Sequence, residues 1–205
     1  MTRPVKILPL LALAFVSMTI TCVCDAGPIF EEKGTLTVGI HGQYGLLVGD
    51  ATPADDFDNG KGYGIRLRYY LGRNRALGVS LDRQTFTAAN AGSPSERPEE
   101  MNVAVMTVDY LWYFDRKSDL TRYITVGAGV HHPSRDFSEY SSGSWVGYSK
   151  VGPDGLVVCL GAGLEHFFHR VVAVDFSVRS YGLFGQDGVL GSVEAAIGFN
   201  FYIID

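Results

Sequence analysis

The chain has 205 residues, of which 25 are glycine; it is 46% hydrophobic, 12% aromatic and only 19% charged. That is too much apolar and aromatic surface for a disordered chain, and the glycines follow no period of three, which excludes collagen. A formal net charge of −5 argues against a nucleic-acid partner, which would select a basic face.

Residues 1–26 read as an export signal. Arg3 and Lys6 precede an apolar run of 14 residues at 7–20, and Cys24 and Ala26 supply small residues at −3 and −1 of a cut before Gly27. The run is too short to cross a bilayer as a helix. Loss of Arg3, Lys6 and Asp25 takes the net charge from −5 to −6. It also removes two of the three cysteines, so Cys159 has no partner for an intrachain disulfide.

From Gly27 onward the dominant signal has period two. Between 61 and 72, Tyr63, Ile65, Leu67, Tyr69 and Leu71 take one face, while Gly62, Gly64, Arg66, Arg68 and Tyr70 take the other. The same alternation starts earlier, with Leu36, Val38 and Ile40 against Thr37, Gly39 and His41. It returns in Leu77–Val79–Leu81, in Met106–Val108–Tyr110–Trp112, in Ile124–Val126–Ala128 and in Val158–Leu160–Ala162. Val172–Val174–Phe176 and Ile197–Phe199–Phe201 complete eight expected strands, each long enough to cross a bilayer at a tilt.

The connections alternate. Short ones are expected at 73–75, 115–119 and 169–170, longer ones at 50–60, 88–100 and 132–155, and a moderate one at 181–188. Short turns at one end and long loops at the other are the layout of an outer-membrane barrel. The strand ends beside the short turns carry Tyr69, Tyr70, Trp112, Tyr113, Phe114, Tyr123, Phe167, Phe168, Phe199, Phe201 and Tyr202, which reads as a periplasmic aromatic girdle.

Two features set the faces. All five lysines, Lys6, Lys33, Lys61, Lys117 and Lys150, are placed outside the strands, although a water-facing strand surface uses lysine freely. The strand glycines, among them Gly39, Gly64, Gly127, Gly163 and Gly198, fall on the polar face, which suits a crowded interior. The polar face is therefore expected inside and the apolar face against lipid.

With that arrangement, Tyr123-Ile-Thr-Val-Gly-Ala-Gly-Val130 resembles the fifth strand of small OmpA-like barrels, and Leu160-Gly-Ala-Gly-Leu-Glu-His-Phe-Phe168 their next hairpin. The resemblance spans nearly all of 27–205. It implies an all-β, eight-stranded antiparallel transmembrane up-and-down β-barrel with a polar filled interior. It also implies a place in the cell outer membrane among lipid and lipopolysaccharide, and insertion by the barrel-assembly machinery. The family's terminal aromatic is offset here, the chain ending Phe201-Tyr-Ile-Ile-Asp205.

By parity the lumen holds Arg66, Arg68, Arg179, Asp82, Asp109, Glu165, Asp175 and Glu194. They are expected to form an ion network: Arg66 opposite Asp82 if pairing sums are near 148, Glu165 near Asp175, and Arg179 near Glu194. The competing reading of Glu165 and Asp175 is a carboxylate pair sharing a proton. Arg83, on the lipid parity near the outer rim, is a candidate contact for lipopolysaccharide phosphates. Asp55, Asp56 and Asp58 miss calcium-loop spacing by one residue, and the adjacent His131 and His132 face opposite sides of a strand. The loop at 132–155 offers Arg135, Phe137, Tyr140, Trp145 and Tyr148 to an unknown surface ligand. The expected role is structural or adhesive, without cofactor or catalysis. The alternatives are a small passive pore and, less favoured, a lipid A-modifying enzyme. His132 and Ser134 match the His-x-Ser of lipid A deacylases, but the stretch corresponding to that motif, Val178-Arg-Ser-Tyr-Gly-Leu183, has no His, so the match is read as chance.

Overall fold

The alternating segments close on themselves. A computed structural model describes residues 33–48, 57–88, 96–114, 119–141, 144–185 and 188–203; the expected export signal, Lys117, Asp55 and Asp56 lie outside them. The strands are β1 (Leu36–Val48), β2 (Phe57–Gly72), β3 (Arg75–Ala88), β4 (Glu96–Phe114), β5 (Leu120–Ser141), β6 (Ser144–Val151), β7 (Gly155–His169), β8 (Val172–Gly185) and β9 (Gly188–Ile203). Eight of them, all but β6, form an antiparallel ring in chain order, β5 pairing past β6 with β7, and β9 returns to β1 with Leu36 opposite Ile203 and Val48 opposite Gly191. The ring is a closed eight-stranded up-and-down barrel, and closure leaves it no sheet edge.

The faces follow the sequence parity. Val126 is 55% exposed while its neighbour Thr125 is 1% exposed. Ile40, Ile65, Val108, Val158 and Ile197 share the outward, exposed side, and Arg66, Arg68, Asp109, Glu165 and Asp175 are buried inside. The inward glycines are where facing side chains need the room. A Cβ at Gly127 would collide with the Asp109 carboxylate and the Cys159 sulfur, and one at Gly64 with Asp82 and His41.

Four expectations change. The segment 132–155 is not a loop: β5 runs on to Ser141 and β6 folds back along it, so that Arg135 pairs with Lys150 and Phe137 with Tyr148. Period two continues through these residues, and their polar composition hid it. For the same reason Lys61 and Lys150 do lie in strands, in parts that extend toward the long-connection end. The connection expected at 181–188 shrinks to residues 186–187, because Gly185 pairs with Gly188, whose φ of 119° suits glycine. The aromatic girdle divides by parity. Tyr69, Trp112, Phe114, Phe168, Phe199 and Phe201 point outward, whereas Tyr70, Tyr113, Tyr123, Phe167 and Tyr202 are buried inside and plug the short-turn end.

Because Val126 sits midway along the part of β5 that pairs with β7, a Val126→Lys substitution places a charge in the middle of the apolar band. It is expected to destabilise the barrel by about 2–4 kcal/mol, measured by urea unfolding in lipid vesicles.

Candidate functional site

The lumen is built in tiers. At the short-turn end, the Tyr70 hydroxyl lies 2.9 Å from that of Tyr113 and 3.3 Å from that of Tyr202. The Tyr113 and Tyr123 rings are 5.4 Å apart and those of Phe167 and Tyr202 are 5.0 Å apart. Each of these side chains alternates with an outward lipid-facing residue, so the pleat alone aims them at one another.

Directly above lies Arg68, whose guanidinium joins four strands. It donates to Glu165, to Asp175 at 3.1 Å, to the Tyr113 hydroxyl at 3.2 Å and to the Tyr123 hydroxyl at 3.3 Å, and it stands 4.9 Å from the centre of the Tyr123 ring. The two carboxylates gain further donors. Asn200 donates to Glu165 at 2.7 Å and to Asp175 at 3.3 Å, Tyr202 donates to Glu165 at 2.8 Å, and Tyr123 donates to Asp175 at 2.8 Å. Arg66 adds a contact to Asp175 at 3.3 Å and one to Ser177 at 3.1 Å.

A second cluster sits beyond it. Arg179 contacts Asp109 at 3.2 Å and Ser80 at 3.3 Å, and Asp109 also accepts from Ser80 at 2.7 Å and from the Cys159 thiol at 3.3 Å. In the next tier, His41 bonds Asp82 at 2.7 Å, and Tyr181 donates to Asp82 at 3.4 Å. All eight candidate lumen residues are buried.

Their pairings differ in part from those expected. Arg66 faces Ser80 in register, and Asp82 faces Gly64. An irregularity between Tyr70 and Gly72 shifts the hairpin, bringing the sums to 146 rather than 148. Glu165 and Asp175 are cross-strand partners, as expected, but both are bound by Arg68, so they form an ion cluster rather than two carboxylates sharing a proton. Arg179 and Glu194 are also opposite in register, yet the Arg179 ion pair reaches across the lumen to Asp109. Parity identifies which residues face the lumen, although among the described residues Glu194 accepts from Ser192 at 3.3 Å and not from an arginine; partners across the barrel depend on strand stagger, which a single sequence does not display.

At the other end the outer surface turns polar. Arg83 is exposed there; His132 bonds Asp154 at 2.5 Å, Thr85 donates to Asn102 at 2.7 Å, and Asn102 donates to Asp136 at 3.2 Å. His131 turns inward and His132 outward, so the two share no ligand site. The β5–β6 hairpin stands beyond this polar belt. On it, Phe137 and Tyr148 stack with ring centres 5.5 Å apart, and Trp145, opposite Tyr140 in register, is exposed. Among the described residues, no group of three His, Cys, Asp or Glu side chains is placed to hold a metal.

No family model and no curated protein matches this sequence. Solved structures do match. Neisserial surface protein A aligns over 82% of this chain and 98% of its own, with a TM-score of 0.60 at 14% identity. Ail, the attachment invasion locus protein of Yersinia pestis, aligns over 82% and 99%, with a TM-score of 0.55 at 16% identity. Ail in complex with the heparin analogue sucrose octasulfate aligns over the same shares, with a TM-score of 0.52 at 17% identity. The likeness is one of fold: the chain has the eight-stranded architecture of the OmpA-like outer-membrane β-barrels.

Removing the cation at the centre of the network leaves two buried carboxylates short of a partner. Arg68→Leu is expected to cost roughly 3–5 kcal/mol in the same unfolding measurement. Adding Glu165→Gln and Asp175→Asn to an Arg68→Met variant is expected to recover most of the loss.

Proposed function

We propose that this protein is exported by its N-terminal signal to the outer membrane and acts there as a display scaffold. The barrel anchors the β5–β6 hairpin beyond the lipid, and the hairpin contacts a surface ligand. The observation that carries this reading is the hairpin itself. It continues two barrel strands past the polar belt, so it is held by strand pairing, and it presents Trp145, Val146 and Tyr148 exposed. Rigid aromatic side chains among serines and glycines make a contact surface at low entropic cost. The name of Ail refers to attachment and invasion, which agrees with an adhesive role for a barrel of this shape. Exposure of Arg83 at the polar belt supports a contact with phosphate groups of lipopolysaccharide.

The interior favours this role over a passive pore. Arg68 and its carboxylates span the lumen, and the tyrosine tier fills the periplasmic end beneath them. A lipid A-modifying role has less support: the exposed His132 bonds Asp154, and the strand stretch 178–183 carries no His.

Two measurements test the proposal. In a planar bilayer the purified protein is expected to give no stable unitary current; discrete, persistent openings would favour the pore. Cells displaying the barrel are expected to adhere to heparin-coated or matrix-coated surfaces. Replacing residues 137–148 by a short turn should reduce adherence to that of cells lacking the protein, whereas unchanged adherence would remove the hairpin from the function.

A further inference from the structure

The inward face does not stay polar along its whole length. Above the His41–Asp82 tier, the lumen is lined by Phe86, Met101, Val103, Val157 and Leu183, all buried, with Leu190 packed against them. This apolar tier is the floor of a cavity of about 230 Å³ at the barrel mouth. The β5–β6 hairpin forms one wall of it. Met101, Val103, Leu183 and Leu190 line the lower part, and Phe137 closes part of the side. At the lip stand Arg135 and Lys150, directly opposite each other in the hairpin register and therefore on one face.

Among the described residues, the charge lining this cavity is of one sign. The whole chain carries a net charge of −5, yet the described lining contains two permanent cations and no carboxylate. Among the described residues, neither Arg135 nor Lys150 has an ion-pair partner. Of the described acids nearby, Asp136 accepts from Asn102 on the outer side and Asp154 bonds His132. A barrel that only needed to fill its lumen would gain nothing from an apolar floor under an unpaired cationic lip. An apolar cavity with a few convergent polar groups is the general form of a small-molecule site, and two adjacent donors of positive charge match a carboxylate.

We propose that the mouth of the barrel binds a free single-chain anionic amphiphile of the fatty-acid class. Its alkyl chain lies on the Met101, Val103, Leu183 and Leu190 floor, and its carboxylate lies between Arg135 and Lys150. The site faces the lumen axis rather than the bilayer, so its occupant enters from outside the cell and not from the surrounding lipid leaflet. This site is independent of any macromolecular contact made by the hairpin tip.

The test uses the full mature protein in phosphatidylcholine nanodiscs, with methyl groups observed by NMR during titration with dodecanoate, dodecanol or dodecyltrimethylammonium. Dodecanoate is expected to shift the Met101, Val103, Leu183 and Leu190 methyls saturably, at one molecule per barrel. Its affinity is expected to exceed that of dodecyltrimethylammonium by about tenfold or more. The double variant Arg135→Glu with Lys150→Glu, confirmed as folded by its shifted mobility on an unboiled detergent gel, should lose that preference or reverse it. The proposal fails if the three amphiphiles act alike, or if the double variant keeps the wild-type preference. It also fails if shifts are confined to outward methyls such as Met106 and Val126, which would report partition into the bilayer.

Discussion

The pairing of β1 with β9 is the interaction on which the rest of the structure depends. In hydrocarbon every backbone N–H and C=O must find a partner within the protein, and a sheet satisfies this only when its two edges meet. Here they meet over the full length of β1, from Leu36 opposite Ile203 to Val48 opposite Gly191. Closure then dictates the surfaces. Outward positions meet lipid and become Val, Ile, Leu and aromatic residues; inward positions meet one another across a narrow lumen.

Eight strands enclose little more than the side chains they point inward, so charge inside the ring is sustained only by pairing. That condition explains why Arg68 touches residues of four other strands and why Gly127 and Gly64 occur where they do. The interior therefore divides into a tyrosine plug, two ion clusters and an apolar mouth, each a different solution to filling the same bore. The plug and the clusters are joined, since Tyr113, Tyr123 and Tyr202 bond to Arg68 or to its carboxylates.

Much of this was legible in the sequence, because parity is a local property. The split of Tyr69 from Tyr70, or of Arg66 from Ile65, needs no tertiary knowledge, and it places all eight network residues in the lumen. Three things were not legible. The partner of Arg179 lies across the barrel at Asp109, and reaching that pairing requires the stagger of the whole ring. The irregularity between Tyr70 and Gly72 displaces Arg66 by two residues, from Asp82 to Ser80. The β5–β6 hairpin has a loop's composition, dominated by serine, glycine and charge, though its backbone continues two barrel strands. The apolar mouth does have a sequence signal: extending the inward parity of Thr107 and Asp109 along β4 reaches Val105, Val103 and Met101.

The central claim is closure, and amide hydrogen exchange in lipid nanodiscs tests it most directly. If β1 and β9 are paired, amides at 36–46 and 193–203 exchange as slowly as those of the interior pair β3 and β4. If the seam is open, one set of amides along β1 and β9 exchanges orders of magnitude faster than the amides of β3 and β4, and that result would contradict the account.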